Sequence, residues 1–261
     1  MTNFKIFFSR INKFIIYSVL ITTVIFLISG FIRVQLPFPE EILPINYNEP
    51  LQTNLDESQK PFPVSTSDGN NYLITPLFNY EINALVVSGH DTQSTLDIVH
   101  KMWDDSLNIK DLCMIFGETL KTDIYKKIKF SNGSYSCSFE GSPEYFSKFN
   151  IYDVTNNHLL TNNPEIASKI RQIKVGDQVK LQGILASYTN TEKAGCSRGS
   201  STTRLDTGDG ACETIYLTNV EILKENLPQV SNIYNISQSL LLAEAVLLIF
   251  SLISNAYFAT K

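Results

Sequence analysis

The chain has 261 residues, a net charge of −5 and four cysteines. Between Val34 and Ser237 it carries 16 basic and 25 acidic residues, a balance of −9. Phosphate-backbone binding rests on Lys and Arg, so this acidic centre excludes a nucleic-acid partner as an expectation.

Residues 1–13 read as a cytoplasmic tail. Phe14 to Ile32 then holds 19 residues without a charge. As a helix they would be roughly 29 Å long, about the thickness of a bilayer's hydrocarbon core. The run exceeds the apolar core of a signal peptide, and Arg33-Val34-Gln35-Leu36-Pro37 offers no small-residue cleavage site, so an uncleaved anchor is expected. Lys5, Arg10 and Lys13 precede it and only Arg33 closely follows, which predicts a cytoplasmic amino terminus and an extracytoplasmic centre.

Residues 33–76 contain seven of the ten prolines in otherwise polar sequence. They read as a linker that either extends from the membrane, at about 3.1 Å per residue, or lies along the domain's own surface.

The folded part is expected over 77–226, a normal size for one core. Ile82–Val87 reads as a buried strand ending at Gly89. Asp91-Thr92 caps a predicted helix carrying Leu96, Val99, Trp103 and Leu107. A strand over Leu112–Phe116 follows. Ile128–Phe130 and Tyr135–Phe139 flank Asn132-Gly133, the signature of a hairpin. Asn163-Pro164-Glu165 starts a helix with Ile166, Ile170 and Ile173 on one face. Val175-Gly176-Asp177 leads into a strand interrupted by Gly183, and Glu213–Leu223 is a last strand. The fold class expected is α+β: a small, antiparallel, barrel-like domain with two or three short helices, flanked by two membrane helices.

After a linker at 227–238, residues 239–259 form the second membrane segment, with Leu240–Phe258 apolar except for Glu244 and small polar groups. Glu244 is expected about one turn from the outer end, where a carboxylate is cheap, meeting Ser or Thr groups of the first helix. A helix lying on the outer membrane surface is the alternative.

All four cysteines, Cys113, Cys137, Cys196 and Cys212, lie in the centre, consistent with two disulfides in an oxidising compartment. Three pairings are open; local spacing favours Cys113 with Cys137 and Cys196 with Cys212. There is no Cys-x-x-Cys pair, so no metal and no cofactor is expected.

The loop from Cys196 to Cys212 is the most unusual stretch. Arg198 and Arg204 are candidates to grip an anion, with Asp206 and Asp209 orienting them. The plainer reading is a stapled hairpin shaped by turn residues. Asp206-Thr207-Gly208 matches the aspartic-protease triplet, but no second copy exists to share a proton.

The Val175-Gly176-Asp177 entry and its strand resemble oligonucleotide/oligosaccharide-binding barrels, which implies a face and loops that bind something. From Phe78 to Leu223, with Thr203-Arg204-Leu205-Asp206-Thr207-Gly208 before the last strand, the chain also resembles a group of uncharacterised membrane-anchored bacterial envelope proteins. That resemblance implies location and architecture, with no settled activity.

His90 with Asp91 reads as turn and cap, His100 as a packing residue beside Trp103, and His158 as a loop residue. No nucleophile elbow, phosphate loop or dinucleotide motif occurs. The expectation is a two-pass inner-membrane protein whose periplasmic domain binds a protein partner or helps assemble a membrane complex, without catalysis. An extracytoplasmic hydrolase is the alternative. A deep pocket joining His90, His100 or Asp111 to the cysteine loop would favour the enzyme; a shallow apolar patch would favour the partner.

Overall fold

The computed structural model describes residues 2–259 except 96, 204, 207, 209 and 210. Its helices are α1 (Thr2–Ile32), α2 (Ile98–Trp103), α3 (Pro143–Phe146), α4 (Pro164–Gln172) and α5 (Pro228–Ala259). The strands are β1 (Leu51–Thr53), β2 (Phe62–Ser65), β3 (Asn71–His90), β4 (Asn108–Ile115), β5 (Lys129–Asn132), β6 (Cys137–Glu140), β7 (Val154–Leu160), β8 (Gln178–Asn190), β9 (Ser197–Arg198) and β10 (Cys212–Lys224). They form two compact units, residues 1–35 with 227–261, and residues 36–226.

The first unit is the antiparallel pair α1–α5. Arg10–Ile32 and Pro228–Tyr257 are both long and apolar enough to cross a membrane. Polar and aromatic contacts fix their register. The Arg33 guanidinium lies 3.5 Å over the Tyr234 ring, which also stacks on Phe26. Ser18 Oγ donates to Glu244 Oε1 at 2.5 Å and Thr22 Oγ1 to the same oxygen at 3.1 Å. Ser251 Oγ donates to Asn12. The Ser and Thr partners match the sequence expectation. The helix begins at Pro228, so the segment expected as a linker is helical. Glu244 sits about 24 Å along the helix from Pro228.

The second unit is built on one sheet of eight strands and a separate β5–β6 hairpin. Pairings run β3–β4–β7–β10–β8, and β8 pairs back onto β3. Every pairing is antiparallel except β7 with β10. Strand alternation divides the side chains into two sets. Ile82, Val86, Leu112, Met114, Leu159, Leu181 and Ile215 fill one core, closed by Ala167 and Ile170 of α4. Leu85, Cys113, Ile115, Tyr125, Ile128 and Phe149 form a second core beneath the hairpin.

Several expectations hold in detail. Asn163 caps α4, its Oδ1 accepting from the N–H groups of Glu165 and Ile166. The hairpin brings Asn132 opposite Cys137 around Gly133. Gly183 is required by close approach, because a Cβ there would lie 2.2 Å from the Tyr216 carbonyl oxygen. Asp177 receives the N–H groups of Lys174 and Asn226 at 2.8 Å each.

The proline-rich stretch differs from a free tether. Residues 36–76 belong to the domain: β1 and β2 pair with β3, Ile42 is buried, and Tyr125 donates its hydroxyl proton to the Pro37 carbonyl. Asn46, fully buried, donates to Gln178 at 2.7 Å. Scattered apolar residues anchor a segment whose composition reads as extended. The helix predicted after Asp91 is also shorter. Asp97 caps it, Asp104 ends it in a left-handed conformation, and Leu96 lies outside the described residues.

Candidate functional site

Register places a polar layer on the hairpin side of the sheet. Cys113, Asn156 and Cys212 stand side by side on β4, β7 and β10, and Asp111, His158 and Thr214 form the next row. Partners in register share a face, and so do residues two apart. His158 is thus a buried strand residue, a correction to its reading as a loop. Asn156-Asn157 opposes strand propensity, which hid it.

All three histidines are tied to carboxylates. His158 Nδ1 is 2.7 Å from Asp111 Oδ1, both residues being at most 1 % exposed. Asn108 Nδ2 donates to the same oxygen at 2.8 Å. His90 pairs with Asp97 rather than with its neighbour Asp91. His100 shares Asp97 and packs its ring 4.7 Å from that of Tyr135. Burial raises the Asp97 carboxyl, but the His100 backbone N–H and the two imidazoles outweigh it and hold the group below its usual range. Burial raises Asp105, against the hydrogen bond that Tyr188 donates to it.

Beside this layer lies a cavity of about 550 Å³ between the β5–β6 hairpin and the segment leading into β10. Tyr135, Asn156, His158, Arg198, Ser200 and Cys212 all line it. The Arg198 guanidinium stacks 3.7 Å over the Tyr135 ring. Its Nη1 is buried with no hydrogen-bond partner among the described residues, and so is the Tyr135 hydroxyl. Burial pushes Tyr135 up to about 12, despite the opposing charge of Arg198.

The predicted site residues are partly assembled. Arg198 and Asp206 share the cavity wall, with Asp206 accepting from Ser201 Oγ at 2.5 Å. Arg204 and Asp209, and Thr207 of the protease-like triplet, lie outside the described residues. The Cys113–Cys137 bond forms, with Cα atoms 5.5 Å apart. The favoured Cys196–Cys212 bond does not: both thiols are free. The backbone explains this. Cys196 is held at β8 by the Asn190 N–H, whereas the residue joined to the Cys212 carbonyl is Ser201, five positions further on.

Chemically the cavity offers a fixed cation, several hydrogen-bond donors and one thiol. Cys212 Sγ accepts from Asn156 at 3.3 Å and faces the Tyr135 carbonyl at 3.7 Å. Burial raises its thiol above the usual value of 9.0, although Asn156 and Arg198 pull it down. Iodoacetamide should therefore modify Cys212 slowly at neutral pH, with the rate climbing only above about pH 9. Mass spectrometry of the alkylated peptide across pH reads this directly. Full reactivity at pH 7 would indicate an activated thiolate.

No family model, no curated protein and no solved structure matches this chain.

Proposed function

We propose that the protein is a two-pass plasma-membrane protein of the cell envelope whose domain, residues 36–226, lies on the extracytoplasmic side. There it binds an anionic group in the Arg198 cavity. Two apolar helices, the basic amino-terminal flank and a cross-linked domain support the location. The cyclic pairing of five strands, with α4 between β7 and β8, supports reading the domain as a barrel of the oligonucleotide/oligosaccharide-binding type. In such barrels the second and third strands and the loops L12 and L45 bind ligands. Here β4, β7 and the 191–211 loop correspond to those elements; β4 and β7 with β10 carry the polar layer, and the loop with the β5–β6 hairpin walls the cavity. The domain's acidity argues against nucleic acid as the occupant.

The observation that carries the reading is the buried Nη1 of Arg198, without a partner among the described residues and held face-on to Tyr135. A buried guanidinium donor left unmade is costly, and a carboxylate or phosphate oxygen would satisfy it. The chain's single tryptophan, Trp103, has its ring 5.5 Å from that of Tyr135 and reports on the cavity. Titrating its fluorescence with inorganic phosphate, succinate and a peptide ending in aspartate should give a saturable change with one of them. Arg198→Gln should weaken that affinity on the order of tenfold or more, the size of a charge-assisted hydrogen bond. Flat titrations, or identical curves for wild type and variant, would overturn the reading.

An extracytoplasmic hydrolase is the second reading. It is favoured by His158, whose Nδ1 is held by Asp111 while its ring borders the same cavity as a free thiol. Against it, the Cys212 hydrogen bonds go to Asn156 and Tyr135 rather than to an imidazole.

A further inference from the structure

We infer that His90, Asp97 and His100 form a binding site for one divalent transition-metal ion, in the loop between β3 and β4. His90 Nε2 and His100 Nδ1 converge on one oxygen, Asp97 Oδ2, at 2.6 and 2.7 Å. The three donor atoms all lie within 4.8 Å of one another. Two imidazoles and one carboxylate are a nitrogen-rich set, which suits Zn²⁺, Co²⁺ or Ni²⁺ over the oxygen-seeking Mg²⁺ and Ca²⁺.

The local fold holds these ligands. His90 ends β3, fixed by its pairing with Asp111 on β4. Asp97 is oriented by its other oxygen, which accepts the His100 backbone N–H at 2.9 Å. The side chains of Asp97 and His100 are 0 % and 1 % exposed, whereas His90 is 26 % exposed. One side of the triad thus opens to solvent, so a tetrahedral ion held by three protein ligands keeps a fourth position for water or another ligand. Ligands at about 2.0–2.1 Å from a tetrahedral ion stand farther apart than hydrogen-bonded atoms, so a small outward turn of His90 is required.

Metal on His100 Nδ1 leaves the ring proton on Nε2, 3.4 Å from the Asn108 side-chain nitrogen. Asn108 Oδ1 is buried without a partner among the described residues, so rotation of this amide offers the acceptor, at the expense of its bond to Asp111. Around the triad lie two more buried carboxylates, Asp105 and Asp111, so an added cation meets a negative field.

The test uses the full chain in detergent, stripped with EDTA and then given Zn²⁺ or Co²⁺ alone. After desalting, roughly one Zn²⁺ per chain should remain, and Co²⁺ should give the visible absorption of a four-coordinate site. His90→Gln, at the most exposed ligand, should lower affinity on the order of tenfold or more while circular dichroism stays unchanged. The Cys196→Ser, Cys212→Ser double variant should retain the ion, since thiolates are the rival ligands. Sub-stoichiometric zinc in the wild-type chain, undiminished binding in His90→Gln, or loss in the double cysteine variant would each overturn the assignment. Phosphate or succinate binding is read separately through Trp103, so failure of either site leaves the other standing.

Discussion

Replacing Asp111 by Ala is expected to destabilise the domain by about 2–6 kcal/mol, the sum of two buried donors each left unmade at roughly 1–3 kcal/mol. Those donors are His158 Nδ1–H and Asn108 Nδ2, both now satisfied by Asp111 Oδ1. In a domain of this size each kcal/mol moves the melting midpoint by about 2–4 °C, so a fall of roughly 4–24 °C should appear. Asp111→Asn keeps an acceptor oxygen and should cost less. The pair of variants therefore separates lost volume from lost hydrogen bonding. A wild-type midpoint for Asp111→Ala would show that the polar layer is not held together through this carboxylate.

Removing the Cys113–Cys137 bond should lower stability by roughly 3 kcal/mol, the chain-entropy value for a loop of this length. The bridge spans 24 residues and ties the β5–β6 hairpin to β4. Because that hairpin leads with Tyr135, its loosening should also blunt the Trp103 response to anions. Thermal melts of the double serine variant and of reduced wild type should agree. Unchanged melting in both would mean that the aromatic packing of Phe130, Phe139 and Phe149 holds the hairpin unaided. Asp111 and Cys113 are neighbours on one strand face, so combined losses are not expected to add.

The parts of this fold that were legible in sequence are those written in local chemistry. The Asn163 cap, the Asn132-Gly133 turn and the apolar helices each follow from local residue chemistry, whereas Gly183 read as a bend in its strand and is a close approach to the Tyr216 carbonyl. The Cys113–Cys137 bond followed from spacing that the hairpin makes short. Non-local pairings were not legible. Val64 and Ile42 bury themselves in a stretch whose prolines read as extended linker, because a few apolar contacts outweigh composition. His158 sits in a strand where Asn156-Asn157, held by hydrogen bonds, stand in place of the usual β-branched or aromatic side chains. The pairing of Cys196 with Cys212 failed for a related reason: proximity in sequence does not register the 191–211 loop against β10.

The site shows the same division. Arg198 stood out as a guanidinium able to grip an anion from a loop rich in hydrogen-bonding groups, and it does line the cavity with Asp206. Its stacking partner Tyr135 lies 63 positions earlier, and Asp97, which joins His90 to His100, fell inside the helix predicted after Asp91-Thr92 and was not singled out. A carboxylate flanked by histidines at seven positions before and three after is the signal that could have raised the triad from sequence.

The most direct test of the account is where the domain resides. A cysteine placed at exposed Ser58, in a chain lacking Cys196 and Cys212, can be challenged with a membrane-impermeant maleimide in cells whose inner membrane is intact. An outward-facing domain held by two spanning helices predicts labelling before lysis and retention of the chain in membranes after alkaline carbonate. Labelling only after the inner membrane is broken, or release by carbonate, would contradict it.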